Sequence, residues 1–260
     1  MNTTTANAIA VQIDTAIASI TLSGSKGNIL TRAAMAELRH VLREIEKDSN
    51  IKVIVLNGEG KHFSFGASVE EHKREFAAEM IHDFHELILD IAHFPVPIIA
   101  SVSGYCLGGA MELVMACSLI FADESAVFGQ PEITLGVFPP PASVLLPLKL
   151  GQARAEEPLL TGENISATRA YEIGLVNRLF PSRETLNEGI VRWTHEHIIP
   201  KSAQSLRLAT RAERLMFASA LAQYLPKLER LYSGDLMSTH DANEGIAAFL
   251  EKRTPVWTNS

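Results

Sequence analysis

Gly104-Tyr105-Cys106-Leu107-Gly108-Gly109-Ala110-Met111-Glu112-Leu113, with Phe128-Gly129-Gln130-Pro131-Glu132 downstream, carries the reading of this chain. Gly108 and Gly109 lack a Cβ, so peptide N–H groups there can approach a ligand closely. A helix starting at Gly109 points its free N–H groups, and the positive end of its dipole, at any negative charge forming nearby. Glu112 falls about one turn into that helix, and Glu132 lies on the loop or strand beyond. Together they are the parts of an oxyanion hole with an acid/base pair beside it.

Working outward, Val53-Ile54-Val55-Leu56 reads as a buried strand and Gly58-Glu59-Gly60 as a turn. His62-Phe63-Ser64-Phe65-Gly66-Ala67-Ser68 then leads into a helical pattern. Gly66-Ala67 is a second small-residue bend, so N–H donors from Ala67 and Gly109 can hold one carbonyl oxygen as it becomes an enolate. Losing one such donor typically costs on the order of 100-fold or more in rate.

The surrounding pattern is α/β. Ile9–Leu22 reads as two short strands joined near Asp14-Thr15-Ala16, and Ser23–Asn28 as a turn. Thr31 caps a helix with Met35, Leu38, Val41, Leu42 and Ile45 at helical spacing. A helix over Glu79–Ala92, a strand over Val96–Val102 and a helix over Gly109–Cys117 follow, then short strands at Leu119–Ala122 and Val127–Phe128. Such alternation implies parallel pairing with crossover helices. Beyond Ser143 the pattern turns helical, over Ala155–Leu160, Ser166–Ile173, Arg183–Ile198, Ser202–Tyr224 and Leu228–Leu250. A compositional shift near Pro200 divides an α/β core, residues 1–199, from a helical region, residues 200–260.

Composition narrows the function. At 260 residues, 47% hydrophobic and 20% charged, the chain has the profile of a globular enzyme. Its net charge of −7, without basic blocks, argues against a nucleic-acid surface. Cys106 and Cys117 are the only cysteines and form no disulfide framework. Met1–Asn7 has neither a basic nor an apolar region, and the apolar run Leu107–Ala122 is interrupted by Glu112. No membrane span and a cytoplasmic location are therefore expected. His82 and His85, with Glu86 adjacent, read as a solvated helix face, because no third metal ligand is evident. Ser64, Ser68 and Ser143 have no nucleophilic-triad partners, and Gly58-Glu59-Gly60 lacks the ending of a P-loop.

Several of these segments resemble the enoyl-CoA hydratase (crotonase) superfamily, over about Ile9–Trp257. The resemblance rests on Phe63–Ser68, Gly104–Glu112 and Gln130-Pro131-Glu132-Ile133-Thr134-Leu135-Gly136. Thr161–Ala167, Ala170–Val176 and Glu244–Arg253 add to it. It implies a spiral of ββα units with a helical C-terminal region that mediates trimer contacts, in a homotrimer or dimer of trimers. It also implies an acyl-CoA substrate, with coenzyme A as part of that substrate and no separate cofactor or metal. Glu112 would activate water and Glu132 would protonate carbon, beside the Ala67 and Gly109 N–H groups. Ser64, Phe65, Gly66, Gly108, Pro140, Phe249 and Lys252 join them as substrate-binding candidates. For Lys252 and Arg253 two readings stand: contact with coenzyme A phosphates, or favourable charge at a helix C-terminus.

Within the superfamily the chain is more similar to the cyclohexadienecarbonyl-CoA hydratases. Phe63–His72, Leu135-Gly136-Val137-Phe138-Pro139-Pro140-Pro141-Ala142-Ser143 and Ser238–Asp241 carry this. They depart from the commoner pattern: Ser68 stands where Asp is usual, Ala110 replaces a third Gly, and three prolines replace a Gly-rich run. Those prolines restrict φ and remove N–H donors, which suits a stiff, dry wall for a flat carbocycle. The alternatives are a straight-chain hydratase, a double-bond isomerase, or a binding homologue without catalysis.

Overall fold

The computed structural model describes residues 8–24 and 27–260. The reading of Met1–Asn7, and Ser25 and Lys26 of the expected turn, lie outside the described residues. In chain order the elements are β1 (Ile9–Asp14), β2 (Ile17–Leu22), α1 (Arg32–Glu46), β3 (Val53–Gly58), α2 (Arg74–His93), β4 (Ile98–Val102) and β5 (Tyr105–Leu107). Next come α3 (Gly109–Ala116), β6 (Leu119–Asp123), β7 (Val127–Gly129), α4 (Pro140–Leu150), α5 (Gln152–Thr161) and β8 (Ile165–Ser166). The chain closes with α6 (Ala167–Glu172), β9 (Arg178–Phe180), α7 (Arg183–His197), α8 (Ala203–Glu213), α9 (Leu215–Arg230) and α10 (His240–Glu251).

β1 and β2 form an antiparallel hairpin in which Thr15, at φ +54°, makes the turn. From β2 the large sheet runs parallel through β3, β4, β6 and β9. A second sheet holds β5, β7 and β8. Isolated parallel bridges extend its pattern, Ser64 beside Cys106 and Leu30 beside Ala67. Successive chain turns therefore repeat one plan: a strand in the large sheet, a short extended piece beside its predecessor, then a helix. β3 leads to residues 64–67 and α2, β4 to β5 and α3, and β6 to β7. This is the expected spiral of ββα units, and it stacks the end of one short piece on the next.

The sequence explains the helix ends. The Thr31 hydroxyl accepts from Ala34 N–H, and the Glu71 carboxylate accepts from Arg32 N–H at 3.0 Å, so both sit on the free donors that open α1. Ile20, Leu22, Leu38, Leu56, Leu113 and Leu145 belong to the central core. A separate cluster over α7 joins Val53, Ile99 and Phe121 to Leu186 and Ile190. The helices beyond Pro200 join cores begun by the first part of the chain. Ala218, Leu221 and Leu225 enter the central cluster, while Tyr232, Met237, Ala242 and Ile246 pack on Met80, Ile81 and Val137.

The structure corrects several local readings. The helix expected over Ser202–Tyr224 breaks at Arg214, whose guanidinium turns inward to the backbone carbonyls of Ala92 and Ala116. The segment Leu228–Leu250 is not one helix. α9 ends at Arg230, a π-helical turn covers Leu231–Asp235 and a 3-10 turn covers Leu236–Ser238, before Thr239 caps α10. Pro140 and Pro141 open a helix, α4, where a stiff loop is the simpler expectation; Pro fits the first helical positions because those N–H groups lack intrahelical partners. His85 is buried against Glu229 (Nδ1 to Oε2, 3.2 Å), and burial lowers its pKa to about 4, so the solvated-face reading fails there.

Candidate active site

The spiral places Ala67 and Gly109 side by side. Ala67 ends the extended piece that follows β3, and Gly109 opens α3 directly after the neighbouring β5. A Cβ built on Gly109 would lie 3.2 Å from the Ala67 nitrogen. Leu30 bonds to the flanking residues, with its N–H to Gly66 O and its O to Ser68 N–H, so the Ala67 N–H faces the other way. Neither the Ala67 nor the Gly109 N–H meets an acceptor among the described residues. Two free donors thus converge on one spot, as an oxyanion hole requires.

They open onto a cavity of about 70 Å³. Of the residues expected at the site, Phe65, Ala67, Gly108, Gly109, Glu112, Glu132 and Pro140 line it. Ser64 and Gly66 do not. The buried Ser64 hydroxyl donates to Asn28 O at 2.7 Å and accepts from Gly66 N–H at 3.0 Å, so both residues build the bend that presents Ala67. Phe249 and Lys252 lie on the outer side of α10 and its C-cap, away from the cavity lining. Arg253 is held by Glu244 and Glu251.

Glu112 is buried on α3, and its Oε1 accepts from Ala142 N–H at 2.7 Å at the start of α4. Burial, and then the charge of Glu132, push its pKa well above the usual carboxylate range, while the Ala142 bond pulls it back. Glu132 sits in a 3-10 turn, Pro131–Leu135, and is half-buried. Burial raises its pKa to about 8. Gly108 leaves room for the Glu132 carboxyl: its φ is +52°, and a Cβ there would lie 2.6 Å from Glu132 Oε1.

Gln130, fully buried, faces Glu132 and suits either protonation state. A protonated Glu132 donates its O–H to the amide oxygen, while the amide nitrogen reaches Gly108 O at 3.5 Å. Turned over, the amide nitrogen donates to both oxygens of an ionised Glu132, at 3.0 and 3.2 Å. Both carboxyls are held above the usual carboxylate range, so the pair can retain a proton near neutral pH. The Ala142 N–H pulls Glu112 back towards its ionised form but does not offset burial. A pair of carboxyls that keeps one proton between them can offer an acid and a base to one ligand.

Sequence reasoning missed three polar groups here. Gln130 was legible only as part of a motif. His72 lines the cavity; its Nδ1 lies 2.7 Å from Ser68 O, which can only accept, so Nδ1 carries the proton. Burial lowers the His72 pKa, which keeps the ring neutral with Nε2 as an acceptor. Tyr232 also lines the cavity, from the π-helical turn. Its hydroxyl is buried without a partner, which costs about 1–3 kcal/mol. No local signal marks Tyr232, because a turn interrupting a helix near the C-terminus brings it in. Among the described residues, no group of three or more His, Cys, Asp or Glu could hold a metal ion. No helix among them is long and apolar enough to cross a membrane.

Two free N–H donors on adjacent turns of a ββα spiral, beside two carboxyls with raised pKa values, agree with the family comparison. The chain belongs to the enoyl-CoA hydratase/isomerase family, whose model matches residues 12–260, and it is an enzyme of the hydro-lyase type. Among its relatives it is 43% identical to cyclohexa-1,5-dienecarbonyl-CoA hydratase of Thauera aromatica, over 95% of this chain and 94% of that one. It is 35% identical to a probable enoyl-CoA hydratase of Bacillus subtilis, over 96% of this chain and 98% of the relative. The crystal structure of an enoyl-CoA hydratase from Mycobacterium avium subsp. paratuberculosis superposes with a TM-score of 0.86 at 25% identity, covering 97% and 99% of the two chains.

Proposed function

We propose that the protein adds water to cyclohexa-1,5-diene-1-carbonyl-CoA, giving 6-hydroxycyclohex-1-ene-1-carbonyl-CoA, as a step in the anaerobic breakdown of benzoyl-CoA. The observation that carries hydration is the pair of carboxyls, both held above the usual carboxylate range, facing the same cavity as two free N–H donors. The ring substrate is supported by the likeness to the Thauera relative and by the wall formed by Pro139 and Pro140.

In this mechanism the Ala67 and Gly109 N–H groups hold the thioester oxygen. Glu112 takes a proton from water as the oxygen bonds to the β-carbon of the ring. The displaced electron pair spreads over the thioester oxygen, the α-carbon and the second double bond. Glu132 then delivers its proton to the far end of that dienolate, the carbon opposite the new C–O bond. Each turnover consumes one water, and return of the proton from Glu112 to Glu132 resets the pair. The chemistry needs no cofactor beyond the coenzyme A of the substrate. Phe249 and Lys252, whose ammonium has no ion-pair partner among the described residues, remain open to that coenzyme A, in this subunit or a neighbour. Exposed Leu208, Leu215 and Met216 on α8 and α9 support assembly as a homotrimer or dimer of trimers, and two free thiols suit a cytoplasmic enzyme.

Purified protein given crotonyl-CoA and cyclohexadienoyl-CoA side by side should prefer the ring by a wide margin in kcat/KM. Turnover in deuterated water should label the carbon that was C5 of the substrate. Glu112→Gln and Glu132→Gln should each lose roughly 100- to 10,000-fold in kcat. Preference for the linear thioester, or label at the α-carbon, would leave a hydratase and discard the ring reading. Full activity in either variant would remove that residue from the mechanism.

A further inference from the structure

Besides the neutral His72 ring, the cavity lining includes one polar side chain, Tyr232, that neither proton transfer nor the oxyanion hole uses. Tyr232 is almost wholly buried, and its hydroxyl has no partner among the described residues. Its ring stands edge-on to Phe138, with centroids 5.5 Å apart and planes at 71°, so the hydroxyl is aimed by packing. The turn that carries it, Leu231–Asp235, is π-helical, a form used mostly as single turns and often at functional sites.

The opposite wall explains why such a donor would be needed. α4 begins at the cavity, and a helix start ordinarily offers several free N–H groups. Here Pro140 and Pro141 have none, Ala142 N–H is taken by Glu112, and Ser143 N–H by Pro139 O. The amide of Gln130 is occupied by Glu132 and Gly108, and the neutral His72 ring offers the cavity only an acceptor. Among the described residues, Tyr232 is thus the lining side chain whose hydroxyl donor is left unused. A water held for attack makes two to four hydrogen bonds, and the carboxyls can supply only part of that set.

We propose that Tyr232 is a substrate-contacting residue whose O–H donates to the oxygen being added, first as the attacking water and then as the hydroxyl of the product. This rests on the hydration reading above. Burial, with the charges of Glu132 and Glu112, holds the phenol above its ordinary pKa, so it stays protonated and acts as a donor rather than an acid. The donor fixes where the oxygen waits and grips the hydroxylated product, but makes no contact with an acyl group lacking that oxygen.

Tyr232→Phe keeps the ring against Phe138 and removes only the hydroxyl, so the variant should fold at least as stably as the wild type. Assayed in parallel, it should lose about 10-fold or more in kcat with KM for the unsaturated thioester within about 2-fold. Its affinity for a hydroxyacyl-CoA product should fall roughly 3- to 10-fold, the size of one neutral hydrogen bond. Binding of cyclohexanecarbonyl-CoA, which carries no such oxygen, should be unchanged. Wild-type kcat and product affinity in a folded Tyr232→Phe protein would overturn the inference while leaving hydration intact. A wild-type protein that hydrates neither thioester would overturn the hydration reading and this inference with it. Equal weakening towards both ligands would reduce Tyr232 to a shape-filling role and also overturn it.

Discussion

Glu132 and a glutamate in an unfolded chain differ in where they lose their proton, at about pH 8 against 4.5. Between those values the native state holds a proton that the unfolded state has released. Raising the pH through this window therefore destabilises the fold, and below it the difference vanishes. The urea midpoint of the wild-type protein is expected to fall as pH rises from about 4.5 to 8. In Glu132→Gln, which cannot ionise, the profile should be flatter over the same range. Wild-type turnover should also decline above about pH 8, as the carbon acid loses its proton. Parallel stability profiles for the two proteins would show that Glu132 titrates normally. The environment responsible was invisible in the sequence, because Gln130, Gly108 and Glu132 meet only once the turn after β7 folds back on α3.

At the scale of elements, the 3-10 turn carrying Glu132 is held from outside by α10. A Cβ on Gly245 would sit 2.1 Å from Leu135 O, and Trp257 closes over Gly136 and Gly245. The chain following α10 is tied down by Asp241, which accepts from Thr258 and Asn259 N–H at 2.8 Å each. Gly245→Ala has no flexible neighbour to displace, so it should push the Glu132 turn bodily. Such overpacking typically costs about 1–3 kcal/mol. A displacement of about 1 Å can cost on the order of 100-fold in rate, so kcat should fall more than KM changes. Steady-state kinetics with a thermal melt would check this, and unaltered kcat would mean that α10 does not position the turn. The helical pattern of Glu244–Leu250 was plain in the sequence. Its target was not, since Leu135 lies more than a hundred residues upstream.

Across the whole molecule, Arg214 joins the C-terminal helices to the ends of the helices that build the site. Its Nε donates to Ala92 O at 3.0 Å and its terminal nitrogen to Ala116 O, with the guanidinium 4.7 Å above the Phe217 ring. Ala116 ends α3, the helix of Glu112, where a cation also meets the negative end of the dipole. Arg214→Leu leaves two buried carbonyls unpaired and should destabilise the protein by roughly 2–4 kcal/mol. Arg214→Lys should recover only part, because one ammonium replaces a planar fork. Equilibrium urea denaturation of the three proteins decides it, and full stability in Arg214→Leu would remove this link. The sequence reading ran a single helix through position 214. An arginine has good helix propensity, and only the two carbonyls arriving from distant helices turn it inward.

The sequence by itself determined the α/β class, the order of most strands and helices, and Ala67, Gly109, Glu112 and Glu132 as candidates, which the fold brings to one cavity. Each was legible because its signal is local: a small residue at a bend, a carboxylate one turn into an apolar helix, a hydrophobic period. Tertiary structure alone decided that Ser64 and Gly66 shape the bend, that Phe249 and Lys252 lie off the cavity, and that Tyr232 and His72 enter it. Those outcomes depend on hydrogen bonds and burial between segments 20 to 170 residues apart, and no periodicity or spacing within one segment encodes the partner it will meet.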